Sequence, residues 1–195
     1  MPADLAADRA DLQALQMGDG AAFDRIVARW EQPLFAYAWR MLRNADDARE
    51  LALETFIRLH HSRAKLRADT NLSAWLYTAL TNLCRNRHRW WRRHPSVSLD
   101  ALPGDEGSVA LDDGRAAPDT SAEHRETLDA LDAAIAALPA DLRTTLLLHH
   151  FEHLSYRDIA GIVGCSERGV ETRLYRARQA LRQALSAVGP FAVAR

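Results

Sequence analysis

Apolar residues recur at helical spacing along nearly the whole chain, and this pattern constrains the fold more than any other feature. The spacing holds from about residue 8 to residue 94 and resumes near residue 123. The chain has only 9 glycines and 7% aromatic residues, a composition that favours helices over β-sandwiches. The sequence therefore predicts an all-α protein.

Residues 95–122 lack helical spacing and divide the chain in two. They begin at Pro95, are rich in Pro, Gly, Asp and Ser, and carry 6 acidic and 1 basic side chains. This composition is typical of a flexible linker. Residues 1–94 instead carry 15 basic and 11 acidic side chains, a net charge of +4. We therefore predict two small helical domains, 1–94 and 123–190, joined by a flexible acidic linker at 95–122.

Two local signals in the first domain concern its second and fourth helices. Pro33 lies within the second predicted helix and should kink or interrupt it. The fourth helix is predicted from Ser73 to Arg93, with Ser73 as its N-cap. Its predicted buried stripe comprises Leu72, Leu76, Ala79, Leu80 and Leu83, with Trp75 at the edge.

The fourth helix ends in the sequence NRHRWWRRH, residues 86–94, which contains no acidic residue. Trp90 follows the buried Leu83 by seven residues, so we expect Trp90 to plug the core or its edge. The opposite face is a cationic stripe made of Thr78, Asn82, Arg85, Arg89 and Arg92. Such a stripe suits contact with phosphate groups. A membrane-surface role is disfavoured, because the apolar side continues the stripe of a soluble domain and no lipidation motif is present.

The second domain contains the pattern of a helix-turn-helix. Ser155 and Asp158 fit a capping box, Gly164 suits a left-handed turn, and Ser166 can cap the next helix. From Glu167 onwards that helix turns Val170, Leu174, Ala177 and Leu181 to one side. The opposite side is the recognition face, made of Arg168, Thr172, Arg176 and Gln179. Its side chains can reach base edges or phosphates in a DNA major groove.

These motifs resemble the extracytoplasmic-function (ECF) group of the bacterial sigma-70 family of RNA polymerase sigma factors. The second domain carries ALPADLRTTLLLHHFEHLSYRDIAGIVGCS followed by VETRLYRARQALR. The first domain carries GDGAAFDRIVARW, DARELALETFIRLH and AWLYTALTNLCRNRHRWWRR in the family's order. The chain departs from the family at Leu53, where glutamine is usual, and at Glu171, where lysine is frequent. It also has Arg168-Gly169-Val170 where Gly-Thr-Val is common.

The resemblance implies three sets of binding residues. The core-polymerase set comprises Asp47, Arg49, Glu50, Glu54 and Arg58. The set for the minus-ten promoter element comprises Lys65, Arg67, Asn71, Thr78, Asn82, Arg85, Arg89 and Arg92. The set for the minus-thirty-five element comprises Ser166, Arg168, Glu171, Thr172, Arg173, Arg176 and Gln179.

As implied by the family, the chain would be a cytoplasmic sigma factor that directs core RNA polymerase to promoter DNA in a stress or envelope response. An anti-sigma factor is left open as a further partner. No enzyme activity is expected, because RNA synthesis belongs to the polymerase. No cofactor or metal is expected either, since His149 and His153 lack a third ligand. The sequence shows neither a signal-peptide pattern nor an apolar run of roughly 18 residues, so membrane insertion is not expected.

Two other functions remain open from the sequence. One is a stand-alone helix-turn-helix regulator that binds an operator as a dimer. This function leaves the motifs of the first domain unexplained. The other is a sigma-like adaptor that binds a regulator and never touches DNA, which the departures at Leu53 and Glu171 would allow.

Overall fold

The computed structural model describes residues 5–67, 69–94 and 122–186, with side chains from residue 127 in the last range. Those ranges contain eight α-helices and no β-strand. The helices are α1 (Leu5–Gln16), α2 (Gly20–Leu42), α3 (Ala45–Ser62), α4 (Leu72–Arg93), α5 (Ala122–Ala137), α6 (Ala140–His150), α7 (Tyr156–Val163) and α8 (Glu167–Ser186). The all-α prediction is therefore confirmed, whereas the predicted linker lies outside the described residues except for Ala122.

Helices α1 to α4 form the first bundle, in which α2 and α4 each pack against the other three helices. The α2 helix runs unbroken through Pro33, so the predicted interruption does not occur. A proline inside a helix costs about 3 kcal/mol or more. However, Ile26, Leu34 and Met41 are fully buried on both sides of Pro33, and burial of each contributes about 1.5–3 kcal/mol. Packing therefore outweighs the loss of one backbone hydrogen bond.

Helix α1 is held to α2 by buried charged groups as well as by apolar contacts. The Arg29 guanidinium donates to Asp8 and to Asp11, both at 2.5 Å. The Trp30 indole N–H also donates to Asp8, at 3.0 Å. Because a buried carboxylate without partners is costly, these bonds fix the position of α1 on the bundle.

Helix α4 begins one residue earlier than predicted, and Asn71, not Ser73, is its N-cap. The Asn71 side-chain oxygen accepts a hydrogen bond from the Ala74 backbone N–H at 3.2 Å. Ser73 is buried, and its hydroxyl donates to the same Asn71 oxygen at 2.8 Å. Ser73 therefore reinforces the cap from inside the helix.

The expectation that Trp90 plugs the core is wrong. Trp90 is 40% exposed and stacks on His94 with ring centroids 4.9 Å apart. Trp91 instead packs against the core. The reason is that the buried arc of α4 is wider than predicted and includes Tyr77 and Cys84. Trp91 follows Cys84 by seven residues and so inherits this buried side.

Helices α5 to α8 form the second bundle, in which α8 packs against α5, α6 and α7. Its core includes Leu147, Leu148, Ile159, Val170 and Leu174, all almost fully buried. The two bundles also touch, because α7 lies against α4 and α6 lies against α2. Within the described ranges, no helix is both long enough and apolar enough to cross a membrane.

Candidate functional site

The turn between α7 and α8 has the geometry that the sequence predicts for a helix-turn-helix. The Ser155 hydroxyl caps α7 by accepting from the Asp158 N–H at 3.1 Å. Gly164 ends α7 in the left-handed conformation, with φ of 70°. The Ser166 hydroxyl then accepts from the Gly169 N–H at 3.1 Å and caps α8. These three signals are confirmed, and they fix the angle at which α8 leaves the turn.

Gly169 is one of the departures from the family pattern, and the structure gives a local reason for a glycine there. A Cβ at Gly169 would lie 3.2 Å from the Cys165 sulfur and 3.3 Å from its Cβ. Most side chains therefore fit only if Cys165 gives way by a few tenths of an ångström. The glycine at position 169 thus allows the first turn of α8 to lie close to the Cys165 side chain.

Helix α8 buries one side and leaves the recognition face open. Val170, Leu174 and Ala177 are at most 1% exposed and anchor the helix on the bundle. All four residues of the recognition face, Arg168, Thr172, Arg176 and Gln179, are exposed. From Glu167 to Leu185 the helix has 5 arginines and 2 glutamates, a net charge of +3. The exposed cationic face is therefore available to a polyanion.

Two further members of the minus-thirty-five set have different surroundings. Glu171 is exposed between the arginines of α8. Arg173 is half-buried and turns toward α6, where its Nη2 lies 3.7 Å from the Asp141 carboxylate. The contribution of Arg173 to DNA binding stays a prediction. The Asp141 carboxylate would compete with a DNA phosphate for the Arg173 guanidinium.

The cationic stripe of α4 lies on the side away from the core. Asn82, Arg89 and Arg92 are exposed, and Thr78 and Arg85 are half-exposed. The Thr78 hydroxyl donates to the Ala74 carbonyl at 2.6 Å, which aligns it with the helix. The structure thus brings together all five residues of the stripe along a single helix.

The loop before α4 supplies the other three residues of the minus-ten set. Lys65 ends a single turn of 3-10 helix and is exposed. Arg67 is exposed and forms two bonds to the Asp69 carboxylate, at 2.9 and 3.2 Å. Asn71 caps α4, and its amide nitrogen also donates to Asp158 of the second bundle at 3.4 Å. Arg67 and Asn71 therefore already have partners in this structure.

A small groove lies between the C-terminal end of α3 and the first half of α4. Its volume is about 430 Å³. The groove is lined by Arg58, Ser62, Trp75, Thr78 and Ala79. It therefore combines an aromatic wall with the polar groups of Thr78 and Ser62 beside the stripe.

Helix α3 carries the predicted polymerase set, and every member of the set forms an ion pair. Arg58 donates to Glu54 at 2.9 Å, and Arg49 donates to Asp46 at 3.1 Å. Asp47 and Glu50 are instead bridged by Arg87 of α4, whose Nη2 donates to Glu50 at 2.8 Å.

Arg87 is absent from the sets of binding residues predicted from the sequence. It follows the buried Leu83 by four residues, a spacing that turns it toward α3 and that was available as a signal. Partial burial lowers the pKa of Arg87. This arginine links the acidic face of α3 to α4.

A second groove, called here the α3–α4 groove, has a volume of about 550 Å³. Its walls carry Glu50, Glu54, Arg58, Asn86, Arg87 and Arg93. Leu53, Ile57 and Trp90 also line it and are 62%, 42% and 40% exposed. Leu53, a departure from the family pattern, thus adds to an exposed apolar strip rimmed by charges. Such a strip is typical of a protein interface.

Comparison with protein families matches both bundles. The family described as Sigma-70 region 2 matches residues 26–94, and the family described as Sigma-70, region 4 matches residues 128–181. The first match contains α3, α4 and the cationic stripe, whereas the second contains the helix-turn-helix.

Whole proteins of known identity are also similar to the chain. RNA polymerase sigma-H factor of Pseudomonas aeruginosa is 33% identical over 181 residues, which cover 91% of this chain and 93% of that protein. The ECF RNA polymerase sigma factor SigW of Bacillus subtilis is 31% identical over 179 residues, which cover 89% and 94%.

Two solved structures share the fold. CnrH in complex with the cytosolic domain of CnrY has a TM-score of 0.71 and 22% identity, covering 94% of this chain and 99% of that one. The sigma factor RpoE of Bartonella quintana, in complex with the anti-sigma factor NepR, has a TM-score of 0.62 and 25% identity. That match covers 85% of this chain and 98% of that one.

Proposed function

The chain belongs to the extracytoplasmic-function group of the sigma-70 family of RNA polymerase sigma factors, and from this we infer that it joins core RNA polymerase and directs transcription to specific promoters. One observation carries the proposal. A single chain presents two separate cationic helical surfaces, the recognition face of α8 and the cationic stripe of α4, and in addition an apolar groove rimmed by charges.

The α3–α4 groove is the proposed contact with core polymerase. An exposed apolar strip gains free energy when a partner covers it, and the paired charges around it give the contact its orientation. Glu50, Glu54 and Arg58 line this groove, whereas Asp47 and Arg49 lie farther along α3. We therefore expect the three groove residues to matter most for polymerase binding.

The cationic stripe is the proposed contact with the minus-ten element. Arg85, Arg89 and Arg92 would lie along the phosphate backbone of the opened strand. The groove beside Thr78 and Trp75 is a candidate holder for a base turned out of the stack, because an aromatic wall and nearby polar groups suit an unstacked base. Asn82 lies one turn further along α4 and would contribute to the same contact.

The recognition face is the proposed contact with the minus-thirty-five element. Arg168 and Thr172 lie near the N-terminal end of α8, the part of a recognition helix that approaches base edges. Arg176 and Gln179 lie further along the helix and would contact phosphates or bases of the same groove. Gly164 and Ser166 support the contact indirectly, because they set the direction of α8.

The proposed function also implies a further protein partner and a location in the cell. An anti-sigma factor is a further expected partner, supported by the similarity to RpoE, which is solved with such a factor. The role requires no catalytic group in this chain, since the polymerase carries out RNA synthesis. A protein with this role acts in the bacterial cytoplasm, where polymerase and promoters are found.

Run-off transcription tests the proposal. Purified chain and core polymerase are incubated with a genomic template library, and the transcript starts are sequenced. We expect discrete starts only when both proteins are present, with shared upstream sequences at two positions. Specific duplex binding by the chain alone, without polymerase-dependent starts, would favour a stand-alone regulator. Absence of both activities would favour an adaptor.

A further inference from the structure

The segment between α3 and α4 is held from outside by one side chain of α1. The Gln16 amide nitrogen donates to the Arg63 carbonyl at 3.0 Å and to the Leu66 carbonyl at 2.7 Å. These two bonds, called here the loop pin, join positions 47 and 50 residues apart in the chain. A glutamine amide nitrogen carries two N–H donors, so the loop pin uses both. Gln16 belongs to none of the sets of binding residues predicted from the sequence.

The backbone that receives these bonds is weakly held by its own hydrogen bonds. Arg63 begins the single turn of 3-10 helix, and Leu66 follows that turn. Carbonyls at the end of a helix lack helical partners and need donors from elsewhere. The Leu66 N–H does reach the Arg63 carbonyl, but at 3.4 Å, which is beyond the usual range of about 2.7–3.2 Å. The conformation of this turn therefore depends on Gln16.

Gln16 is itself fixed, because it lies on the buried side of α1. It follows Asp8 and Leu12 at steps of four residues, which places all three on one side of the helix. Leu12 is fully buried, and the Asp8 carboxylate accepts from Arg29 of α2. Rotation of α1 would break these contacts. The helix is therefore a rigid support for the loop pin.

The loop pin lies beside two cationic residues of the predicted minus-ten set. Lys65 lies between the two pinned residues, Arg67 comes directly after the second, and both side chains are exposed. The other end of the loop is fixed by Asn71, which caps α4. A binding loop that is already ordered loses less conformational entropy when it binds than a mobile loop does. The loop pin therefore prepares Lys65 and Arg67 to meet phosphate groups beside the cationic stripe.

We propose that Gln16 is a positioning residue for recognition of the minus-ten element, an inference that rests on the proposed function. In this role Gln16 does not touch DNA. It orders the backbone from which Lys65 and Arg67 reach the opened strand. Loss of the loop pin should therefore weaken the reading of the minus-ten element only. Polymerase binding through the α3–α4 groove and minus-thirty-five reading by the recognition face use other surfaces and should be preserved.

Order in the free chain tests the first part of the proposal. Gln16→Met removes both donors and has similar length and helix propensity. Gln13→Met is the matched control, because it makes the same change on the exposed side of α1. We expect the backbone order parameter of Leu66, measured by NMR relaxation, to fall from about 0.85 to below about 0.6 in Gln16→Met. The control should keep the wild-type value, and equal values in both variants would overturn the proposal.

A second variant protects this test against a failure of Gln16→Met to fold. Gln16→Asn keeps the amide but is one methylene shorter, so it should not reach both carbonyls. It should loosen Leu66 as Gln16→Met does. A wild-type order parameter in a folded Gln16→Asn chain would also overturn the proposal.

Promoter-library selection with core polymerase tests the second part. Because two hydrogen bonds that order the loop are lost, Gln16→Met should relax preference at minus-ten positions about tenfold. Minus-thirty-five preference and polymerase affinity should stay within about twofold of wild type, as should every property of Gln13→Met. Unchanged minus-ten preference would overturn the proposal, and so would equal losses at both elements or weaker polymerase binding, which indicate general damage. Failure of the wild-type chain to transcribe with polymerase would instead overturn the proposed function.

Discussion

Glu152 lies between α6 and α7, where the second bundle packs against the first. Replacing Glu152 with glutamine tests how strongly this one residue favours the packed, closed arrangement of the two bundles over an open one in which they separate. Burial raises the pKa of the Glu152 carboxyl to about 7, against the opposing effects of the Tyr77 hydroxyl and the Arg40 charge. Both groups belong to the first bundle, so opening returns Glu152 to water and to its ordinary pKa of 4.5. A raised carboxyl pKa means that the closed state prefers the protonated form. Closure is then favoured fully below pH 4.5 and loses this contribution as pH rises through 7.

The size of the effect follows from the two pKa values. At about 1.4 kcal/mol per pKa unit, the change between pH 5 and pH 8 is about 2.5 kcal/mol. Glu152 is only partly buried, so solvent screens some of this, and we expect about 2 kcal/mol, or about 30-fold in the closed-to-open ratio. Tyr77 does not titrate in this range, because burial raises the pKa of its hydroxyl well above its ordinary value. Arginine keeps its charge throughout the same range.

The assay is energy transfer between dyes at Gln32→Cys and Gln183→Cys on a Cys165→Ser background, recorded from pH 5 to pH 8. Glutamine can still accept the Tyr77 hydrogen bond but carries no charge. The closed fraction of wild type should therefore fall between pH 5 and pH 8, whereas that of the Glu152→Gln chain should not. Burial lowers the pKa of His88, which bonds to the Met41 carbonyl and acts in the opposite direction. The quantity compared is therefore the difference between the two proteins. Identical pH profiles would refute the reasoning.

Three further predictions concern the binding surfaces. Glu50→Arg plus Glu54→Arg should weaken core-polymerase binding by about 2–5 kcal/mol if the charged pairs of these residues are desolvated on binding. Titration of labelled chain with core polymerase measures the affinity. An unchanged affinity would remove these residues from the contact. Arg89→Ala should spare polymerase binding, slow promoter opening and lower the salt slope of DNA binding by about 1, measured from 50 to 200 mM salt. In a promoter-library selection, Arg168→Ala should relax one or two upstream positions by about 1–3 kcal/mol each, whereas Arg176→Ala should weaken all sequences equally; the reverse pattern would exchange their roles.

Local interactions explain which features could be predicted from the sequence alone. The helix-turn-helix followed from Ser155, Gly164 and Ser166, because each acts through a backbone group within a few residues of itself. The outward position of Arg89 and Arg168 followed from helical periodicity, which fixes the side on which a residue lies. These features depend on short stretches of chain, and so the sequence determines them directly.

Other features depended on which helices meet. Pro33 is tolerated because the buried face of α2 is packed on both sides of it, and Trp91 replaces Trp90 in the core because the buried arc of α4 extends to Tyr77 and Cys84. Arg87 reaches Asp47 and Glu50 only because α3 and α4 lie side by side. The bond between Tyr77 and Glu152, 75 residues apart, is likewise set by the docking of two bundles. Periodicity states which side of a helix is buried, but only tertiary packing decides how wide that side is and which partner covers it.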